Sequence, residues 1–210
     1  MGGPDRGAGL SADLAALLAG PVVPAARGLL GCLLHAGGVT VRLTEVEAYA
    51  GVGADPASHA HRGQTPRNEV MFGPPGHLYV YFTYGMHWCA NVVCGPAGEA
   101  AAVLLRAGEV VAGETLARQR RPGARAAREL ARGPARLTTV LGIDGGANGA
   151  YLLDPAGPIH LRPPTTATGR IRSGPRVGVA NGHDTQWRFW LDGEPTVTPY
   201  RRHVPRRRAG

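Results

Sequence analysis

Lysine is absent from the chain, so its 23 Lys and Arg positions are all arginine. Without a lysine side chain the protein cannot form a Schiff base through a lysine amine, and that route of covalent catalysis is excluded. Long apolar runs are absent too: no stretch approaches the roughly 18 consecutive apolar residues that a membrane-spanning helix needs. We therefore expect no helix that spans a membrane.

Cysteine is scarce, with Cys32, Cys89 and Cys94 as the full set. Three thiols are too few, and odd in number, for a disulfide scaffold, which is typical of a protein from a reducing compartment. The N-terminal segment has Arg6 as its one basic residue before a short apolar stretch and lacks the ordered regions of a signal peptide. The expected location is the cytoplasm.

Acidic residues are few and unevenly placed. The chain has 15 of them and a formal net charge of +8. Residues 1–105 hold 5 arginines and 7 acidic residues, a balance of −2, whereas residues 106–210 hold 18 and 8, a balance of +10. This asymmetry predicts a polyanionic partner, with nucleic acid first. An acidic membrane surface is the weaker alternative, because no basic amphipathic helix with an aromatic face is present.

The length of 210 residues, with 43% hydrophobic residues, suffices for one domain with a substantial core. We expect residues 1–10 to be disordered, residues 11–200 to form this domain and residues 201–210 to be a basic tail. The expected fold is α+β, with a curved antiparallel sheet, flanking helices and a protruding β-hairpin.

Hydrophobic periodicity and turn residues predict the order of the elements. Residues 155–175 are rich in proline, glycine and threonine, and their pattern indicates no particular element. The predicted elements are helices from Ser11 and from Pro24, a hairpin about Gly37 and Gly38, a long loop at 50–76, strands at 77–82 and 87–93, a strand at 100–105 ending at Arg106, helical segments within 113–142 with breaks at 121–123 and 133–134, and short strands at 176–180 and 187–193.

Two glutamates in the segment TEVEAY are candidate catalytic acids. Strand alternation puts Glu45 and Glu47 on one face, with Val46 opposite. Acids in this arrangement usually face solvent, but Tyr49 follows on the same face and leads into the long loop, which favours a functional site. Glu47 is the first candidate, and Glu45 remains the alternative if the strand is distorted by one residue.

The hairpin at 78–93 is unusually aromatic. Tyr79 and Tyr81 share one strand face, whereas Phe82 takes the other. Tyr84 lies at the turn, where glycine, asparagine, aspartate and proline are preferred. The ring of Tyr84 either folds back onto its own hairpin or projects into a partner, and beside a basic surface it could wedge between stacked bases.

Six segments in order resemble one known family, the alkyladenine (3-methyladenine) DNA glycosylases, and specifically its bacterial members. The resemblance covers about residues 24–192. The segments are TEVEAY, DPASHAHRGQTPRN, MFGPPGHLYVYFTYGMHWCANVV, AAVLLRAGE, ARGPARLTTVLGI and RVGV.

This resemblance implies a base-excision repair enzyme that flips a damaged purine out of duplex DNA and hydrolyses its N-glycosidic bond. Glu47 would be the general base, and Arg106 and the backbone carbonyl of Val177 would help it to position the water. The base pocket would be lined by Tyr49, His59, Tyr81 and Asn91. The intercalating residue would be Tyr84, with Met86 near the same tip.

The resemblance further implies a monomer that acts on double-stranded DNA with damaged purines at the bacterial nucleoid, without cofactor, metal or membrane. Because lysine is absent, no lyase step is expected. Arg67 and Arg136 are the candidates for contacts with the DNA backbone, and His87, Cys89 and Cys94 are expected to be structural rather than zinc ligands.

Two other functions stay open: a non-catalytic binder of damaged DNA, and an RNA-binding protein. The first would not need Glu47 and Arg106, and the second has no recognition motif in its support.

Overall fold

The computed structural model describes residues 6–202. Its helices are α1 (Arg6–Ala19), α2 (Val22–Leu29), α3 (Glu114–Arg120) and α4 (Pro134–Leu141), with 3₁₀ turns at Glu69–Phe72, Ala127–Glu129 and Gly145–Ala147. Its strands are β1 (Leu33–Ala36), β2 (Val39–Tyr49), β3 (Leu78–Thr83), β4 (His87–Val93), β5 (Ala102–Ala112), β6 (Ile159–Arg162), β7 (Ile171–Gly174) and β8 (Arg188–Leu191).

The strands form one antiparallel sheet with β2 at its centre. The order is β3-β4-β5-β2-β1-β6. Along one edge β2 pairs with β5, whereas its other edge is shared by β1 at the beginning and by β8 at the end. Strand β7 then pairs with β8. The register between β2 and β5 shifts three times, and such bulges bend and twist a sheet. The result is the curved sheet that the sequence predicted.

The two faces of the sheet are covered by different elements. Helices α2 and α4 pack on one face, against β2, β4 and β5. Side chains such as Leu78, Val92 and Leu105 point into this main core. On the other face the loop at 50–76 covers a small second cluster that includes Met71 and Tyr79. Strand alternation therefore separates a helix-covered core from a loop-covered face.

The two predicted hairpins are confirmed, with turns at Gly37 and Gly38 and at residues 84–86. Both predicted N-terminal helices are present but begin earlier, at Arg6 and Val22. Ser11 lies inside α1 and is not its cap, because Leu14 and Leu18 anchor this helix in the core. Residues 1–5 and 203–210, which include most of the expected basic tail, lie outside the described residues.

Two strand predictions are wrong, and two further strands were not predicted. Strand β5 does not end at Arg106 but continues to Ala112, because it pairs there with the first half of β2. Residues 176–180 are not a strand, since backbone groups there serve the site described below and Gly178 has a φ of +72°. Residues 155–175 do contain strands, β6 and β7. Both are only four residues long, and their pairing depends on tertiary context rather than on pattern.

Among the helices of residues 6–202, none is long and apolar enough to cross a lipid bilayer.

Candidate active site

A cross-strand row on the loop-covered face forms the floor of the site. Tyr79, Asn91, Leu104 and Glu47 are successive partners across β3, β4, β5 and β2. Because side chains in one cross-strand row share a face, four distant stretches of sequence contribute to a single surface. The helices pack on the opposite face, so this surface stays open to a ligand.

A cavity of about 360 Å³ lies over this row. Loop residues around Pro56 and residues 177–181 form its other walls. The predicted site residues that line the cavity are Glu47, Tyr49, His59, Tyr81, Tyr84, Asn91, Arg106 and Val177. Met86, Arg67 and Arg136 are not among the lining residues.

Glu47 is fully buried and is held by three groups. Its Oε1 accepts a hydrogen bond of 2.7 Å from the backbone N–H of Val177 and lies 3.4 Å from Nη1 of Arg106. Its Oε2 accepts a hydrogen bond of 2.8 Å from the hydroxyl of Tyr49. The sequence predicted a role for the carbonyl of Val177, whereas the observed contact with Glu47 is made by the amide of that residue.

Glu45 is also fully buried but is saturated with donors. Its Oε1 accepts from Nε of Arg106 (3.0 Å), Nε of Arg188 (2.7 Å) and the hydroxyl of Thr198 (2.8 Å). Its Oε2 accepts from the backbone N–H of Thr198 at 2.7 Å. Glu45 does not line the cavity, so the two glutamates differ in what they can reach.

Arg106 lies between the two carboxylates with its side chain only 8% exposed. Burial alone would lower the pKa of Arg106, but the charges of Glu47 and Glu45 outweigh that effect and raise it. The guanidinium therefore stays charged at the cavity wall. It can balance the negative charge of Glu47 and still interact with a ligand.

The aromatic wall of the cavity is formed by His59, Tyr79 and Tyr81. The ring of His59 meets the ring of Tyr81 edge-on at 4.5 Å, and its Nδ1 is 3.0 Å from the hydroxyl of Tyr79. Burial against these rings, together with the charge of Arg67, lowers the pKa of His59 and favours its neutral form. Burial raises the pKa of Tyr79 to about 12, so its hydroxyl remains a donor.

Tyr49 and Asn91 occupy fixed positions in the same cavity. The guanidinium of Arg176 lies 4.6 Å from the centroid of the Tyr49 ring and so covers it from one side. Burial and the nearby Glu47 carboxylate raise the pKa of Tyr49, which keeps its hydroxyl protonated. Asn91 is buried, and its Nδ2 donates to the carbonyl of Tyr79 at 3.1 Å.

The tip of the hairpin projects into solvent. Tyr84 is 82% exposed and has a φ of +53°, the one positive value for a non-glycine residue between residues 6 and 202. A bulky residue in this region is strained, and such strain gathers at functional sites. Met86 beside it is 67% exposed, whereas Phe82 packs against Trp88. The ring of Tyr84 therefore does not fold back, which was one of the two alternatives.

Arg67 and Arg136 are each close to a residue that lines the cavity. Arg67 donates to the carbonyl of Phe82 at 3.1 Å and lies 5.6 Å from the ring centroid of Tyr81. Arg136 is exposed in the first turn of α4, next to Pro134, which lines the cavity. The predicted break before Pro134 thus points the N-terminus of α4 towards the site.

Several lining residues were missed by sequence reasoning. Tyr79 shares a face with Tyr81, so alternation could have identified it. Cys89 lines the cavity and accepts a hydrogen bond from Tyr81, but its position in the strand gave no separate signal. Nothing in the pattern indicated the buried pair formed by Asp55 and Arg176, because it joins residues that are 121 positions apart.

The cysteines occupy separate places. Cys94 is in the helix-covered core, whereas Cys89 faces the cavity. Within residues 6–202 no group of three or more His, Cys, Asp or Glu side chains is arranged to hold a metal ion.

Comparison with known proteins identifies one family. A family model described as methylpurine-DNA glycosylase matches residues 16–195. A protein of Streptomyces avermitilis, named as a 3-methyladenine DNA glycosylase, is 54% identical over 195 residues, which cover 90% of this chain and 91% of the relative. Proteins of the same name from Nocardia farcinica and Frankia casuarinae are 56% and 51% identical. These two matches each cover 85% of this chain, and 86% and 88% of the respective relatives.

Proposed function

Because the chain belongs to the methylpurine-DNA glycosylase family, and is thereby a hydrolase of N-glycosyl compounds, we propose a specific reaction for its cavity. The protein flips an alkylated or deaminated purine out of duplex DNA and hydrolyses the N-glycosidic bond with a water activated by Glu47. The product is an abasic site in base-excision repair. A base inside the duplex cannot be reached by a carboxylate at a cavity wall, so extrusion must precede the chemistry.

The observation that carries this proposal is the position of Glu47. It is the buried carboxylate that lines the cavity, and a carboxylate has about four lone-pair sites, of which Val177, Arg106 and Tyr49 occupy three. One site on Oε2 remains for a water. The same negative charge stabilises the positive charge that develops on the sugar as the bond breaks.

The aromatic wall favours a base that carries positive charge. Ring faces of tyrosine attract cations, by about 0.5–2 kcal/mol depending on solvation. A neutral His59 adds another ring without repelling a cationic purine. Purines methylated at N3 or N7 are cationic in DNA and also leave readily, so for these lesions recognition and chemistry favour the same substrate.

Extrusion of a base leaves a gap in the base stack, and we propose that the side chain of Tyr84 fills this gap. Its exposed ring at the end of the hairpin can occupy the vacated space, with Met86 beside it. Arg67 and Arg136 would contact phosphates of the DNA backbone. The reaction ends at the abasic site, because the chain has no lysine side chain for a lyase step.

A non-catalytic binder of damaged DNA is the competing function. Such a protein would gain nothing from a buried ion pair of Arg106 with Glu47, because desolvating two charges costs several kcal/mol each. The enzyme needs both groups at the reacting bond, which favours catalysis.

Synthetic duplexes that each contain a single lesion test the proposal. Hypoxanthine, ethenoadenine, 3-methyladenine and 7-methylguanine are incubated in turn with excess protein, and abasic sites are scored by alkaline strand cleavage. Excision of at least one lesion, with undamaged duplex intact, supports the proposal. Binding of lesions without any abasic product would contradict it.

A further inference from the structure

A buried ion pair lies directly behind the cavity wall. The side chain of Arg176 is 0% exposed and that of Asp55 is 2% exposed. Nη1 and Nη2 of the arginine donate to the two carboxylate oxygens at 2.6 and 2.7 Å. Neither residue lines the cavity. Burying an ion pair is often no more stabilising than packing apolar side chains, so stability alone is a weak explanation for it.

Besides Arg106, two groups donate hydrogen bonds to Glu47, and the Asp55–Arg176 pair contacts or adjoins both of them. Arg176 directly precedes Val177, whose N–H donates to Oε1 of Glu47. The guanidinium of Arg176 also lies against the ring of Tyr49, whose hydroxyl donates to Oε2. In addition, Nη1 donates to the carbonyl of Ala48 at 2.9 Å, between the catalytic glutamate and the tyrosine.

The surrounding backbone fits closely around the pair. Asp55 accepts hydrogen bonds from the backbone N–H groups of Ala50 and Ala57, which fixes the loop after β2. Gly182 turns over the guanidinium with a φ of +63°, and a Cβ there would lie only 2.9 Å from Nη2 of Arg176. Burial alone would raise the pKa of Asp55, but Arg176 outweighs it and lowers the pKa, so both partners are charged.

We propose that the Asp55–Arg176 ion pair is a positioning unit for Glu47, and this rests on the proposed role of Glu47 as general base. The pair holds the N–H of Val177 and the hydroxyl of Tyr49 against the two carboxylate oxygens. Hydrogen bonds of this kind favour the charged form of a carboxylate and fix its orientation. Without the pair, Glu47 would present its free lone pair to a water less consistently.

The pH dependence of excision distinguishes positioning from a structural role. The charged and titratable groups that face Glu47 are Arg106 from β5, Tyr49 from β2, Tyr81 and Cys89 from the hairpin, and Arg176 from the loop. Arg176→Lys keeps every one of these charges, including that of Asp55, the partner of Arg176. A shift in the acidic limb of the pH–rate profile therefore reports on how the N–H of Val177 and the hydroxyl of Tyr49 are held against Glu47.

The experiment compares wild type with Asp55→Asn and Arg176→Lys. Single-turnover excision of one lesion is measured between about pH 5 and pH 9, with rates normalised to the folded fraction from near-UV circular dichroism. Asp192→Asn is the matched control, because it breaks an ion pair between Arg172 on β7 and Asp192 just after β8. These two side chains are 47% and 40% exposed, and neither lines the cavity.

We expect both variants to lose at least about tenfold in rate. Arg176→Lys, which keeps both charges of the pair but not its two-pronged geometry, should shift the acidic limb of the pH–rate profile to higher pH by about one unit. The control variant should match wild type in both rate and pH profile. A uniform loss of rate with an unmoved acidic limb would overturn the inference, as would loss of all folded protein in both variants. If wild type excises no lesion at all, the proposed function fails instead.

Discussion

Glu45 and Glu47 are two residues apart on one strand and equally buried, yet their surroundings differ. Four donors saturate Glu45, including the side chains of Arg106 and Arg188. Glu47 keeps a free lone-pair site at the cavity. The sequence predicted two acids on one face, and their shared partner Arg106 confirms it. Spacing alone could not reveal which of them is saturated, because the donors come from the distant segment around Thr198.

Replacing Tyr84 by Asn tests the hairpin tip. Asparagine tolerates a positive φ, so this change removes the ring without adding backbone strain. Binding to a lesion duplex should weaken by about 1–3 kcal/mol, the value of stacking one base on an aromatic ring. Tyr84→Phe should bind as wild type does, and Tyr200→Ala controls for loss of an exposed tyrosine elsewhere. Equal weakening on duplex and single-stranded lesion substrates would show that the ring does not fill a gap in the stack.

Asn91 tests how normal purines are rejected. Its side chain is fixed to the carbonyl of Tyr79 and lines the cavity, where it would crowd the 2-amino group of guanine. Asn91→Ser should therefore increase release of undamaged guanine, measured from duplex DNA over long incubations. Asn148→Ser is the matched control, because Asn148 likewise bonds to the backbone of β3, at Val80. Unchanged guanine release by the Asn91 variant would remove this role.

At the scale of elements, the sequence pattern correctly predicted those elements whose bounds are set by neighbouring residues. The two hairpins have glycine-rich or short turns between alternating strands, so both were found from sequence. The helical breaks within 113–142 were found for the same reason. The segment 176–180 was misread because its apolar alternation resembles a strand, whereas the backbone N–H of Val177 bonds to Glu47 and the side chain of Arg176 bonds to Asp55. Short strands such as β7 depend wholly on their partners.

The ladder between β2 and β5 allows a test of the fold that does not involve the site. Gly108 sits where β5 meets a bulge of β2, and a Cβ there would overlap the side chain of Val41 and the carbonyl of Arg42. Gly108→Ala should therefore cost about 1–3 kcal/mol, as overpacking does. Gly123→Ala, where a Cβ meets nothing within 4 Å, should change stability by less than about 0.5 kcal/mol. Urea denaturation measures both, and equal stabilities would contradict the register.

At the scale of the whole molecule, the arginines fall into two groups: some are buried in ion pairs, and others are exposed to solvent. Three arginines, Arg106, Arg176 and Arg188, are buried together with Glu45, Glu47 and Asp55. These six charges cancel inside the site. The asymmetry between the two halves of the sequence therefore overstates the charge available for DNA, because sequence alone cannot separate buried arginines from exposed ones such as Arg136.

The exposed arginines predict a strong dependence of DNA binding on salt. Each phosphate neutralised contributes about −0.9 to the slope of log affinity against log salt, and we expect a total slope steeper than about −3. Arg136→Ala should make the slope shallower by about one unit. Arg172→Ala, which removes an exposed arginine already paired with Asp192, should leave it unchanged. Filter binding to undamaged duplex across a salt series measures all three, and a slope near zero would contradict the electrostatic account.

The central claim is that Glu47 activates water at a flipped base, and Glu47→Gln tests it most directly. Glutamine keeps the shape and can still contact Val177, but it cannot accept a proton. Single-turnover excision of a lesion that wild type removes should fall by about 10²–10⁴-fold, the usual contribution of a general base, while lesion binding is retained. Excision by Glu47→Gln at the wild-type rate would contradict the account.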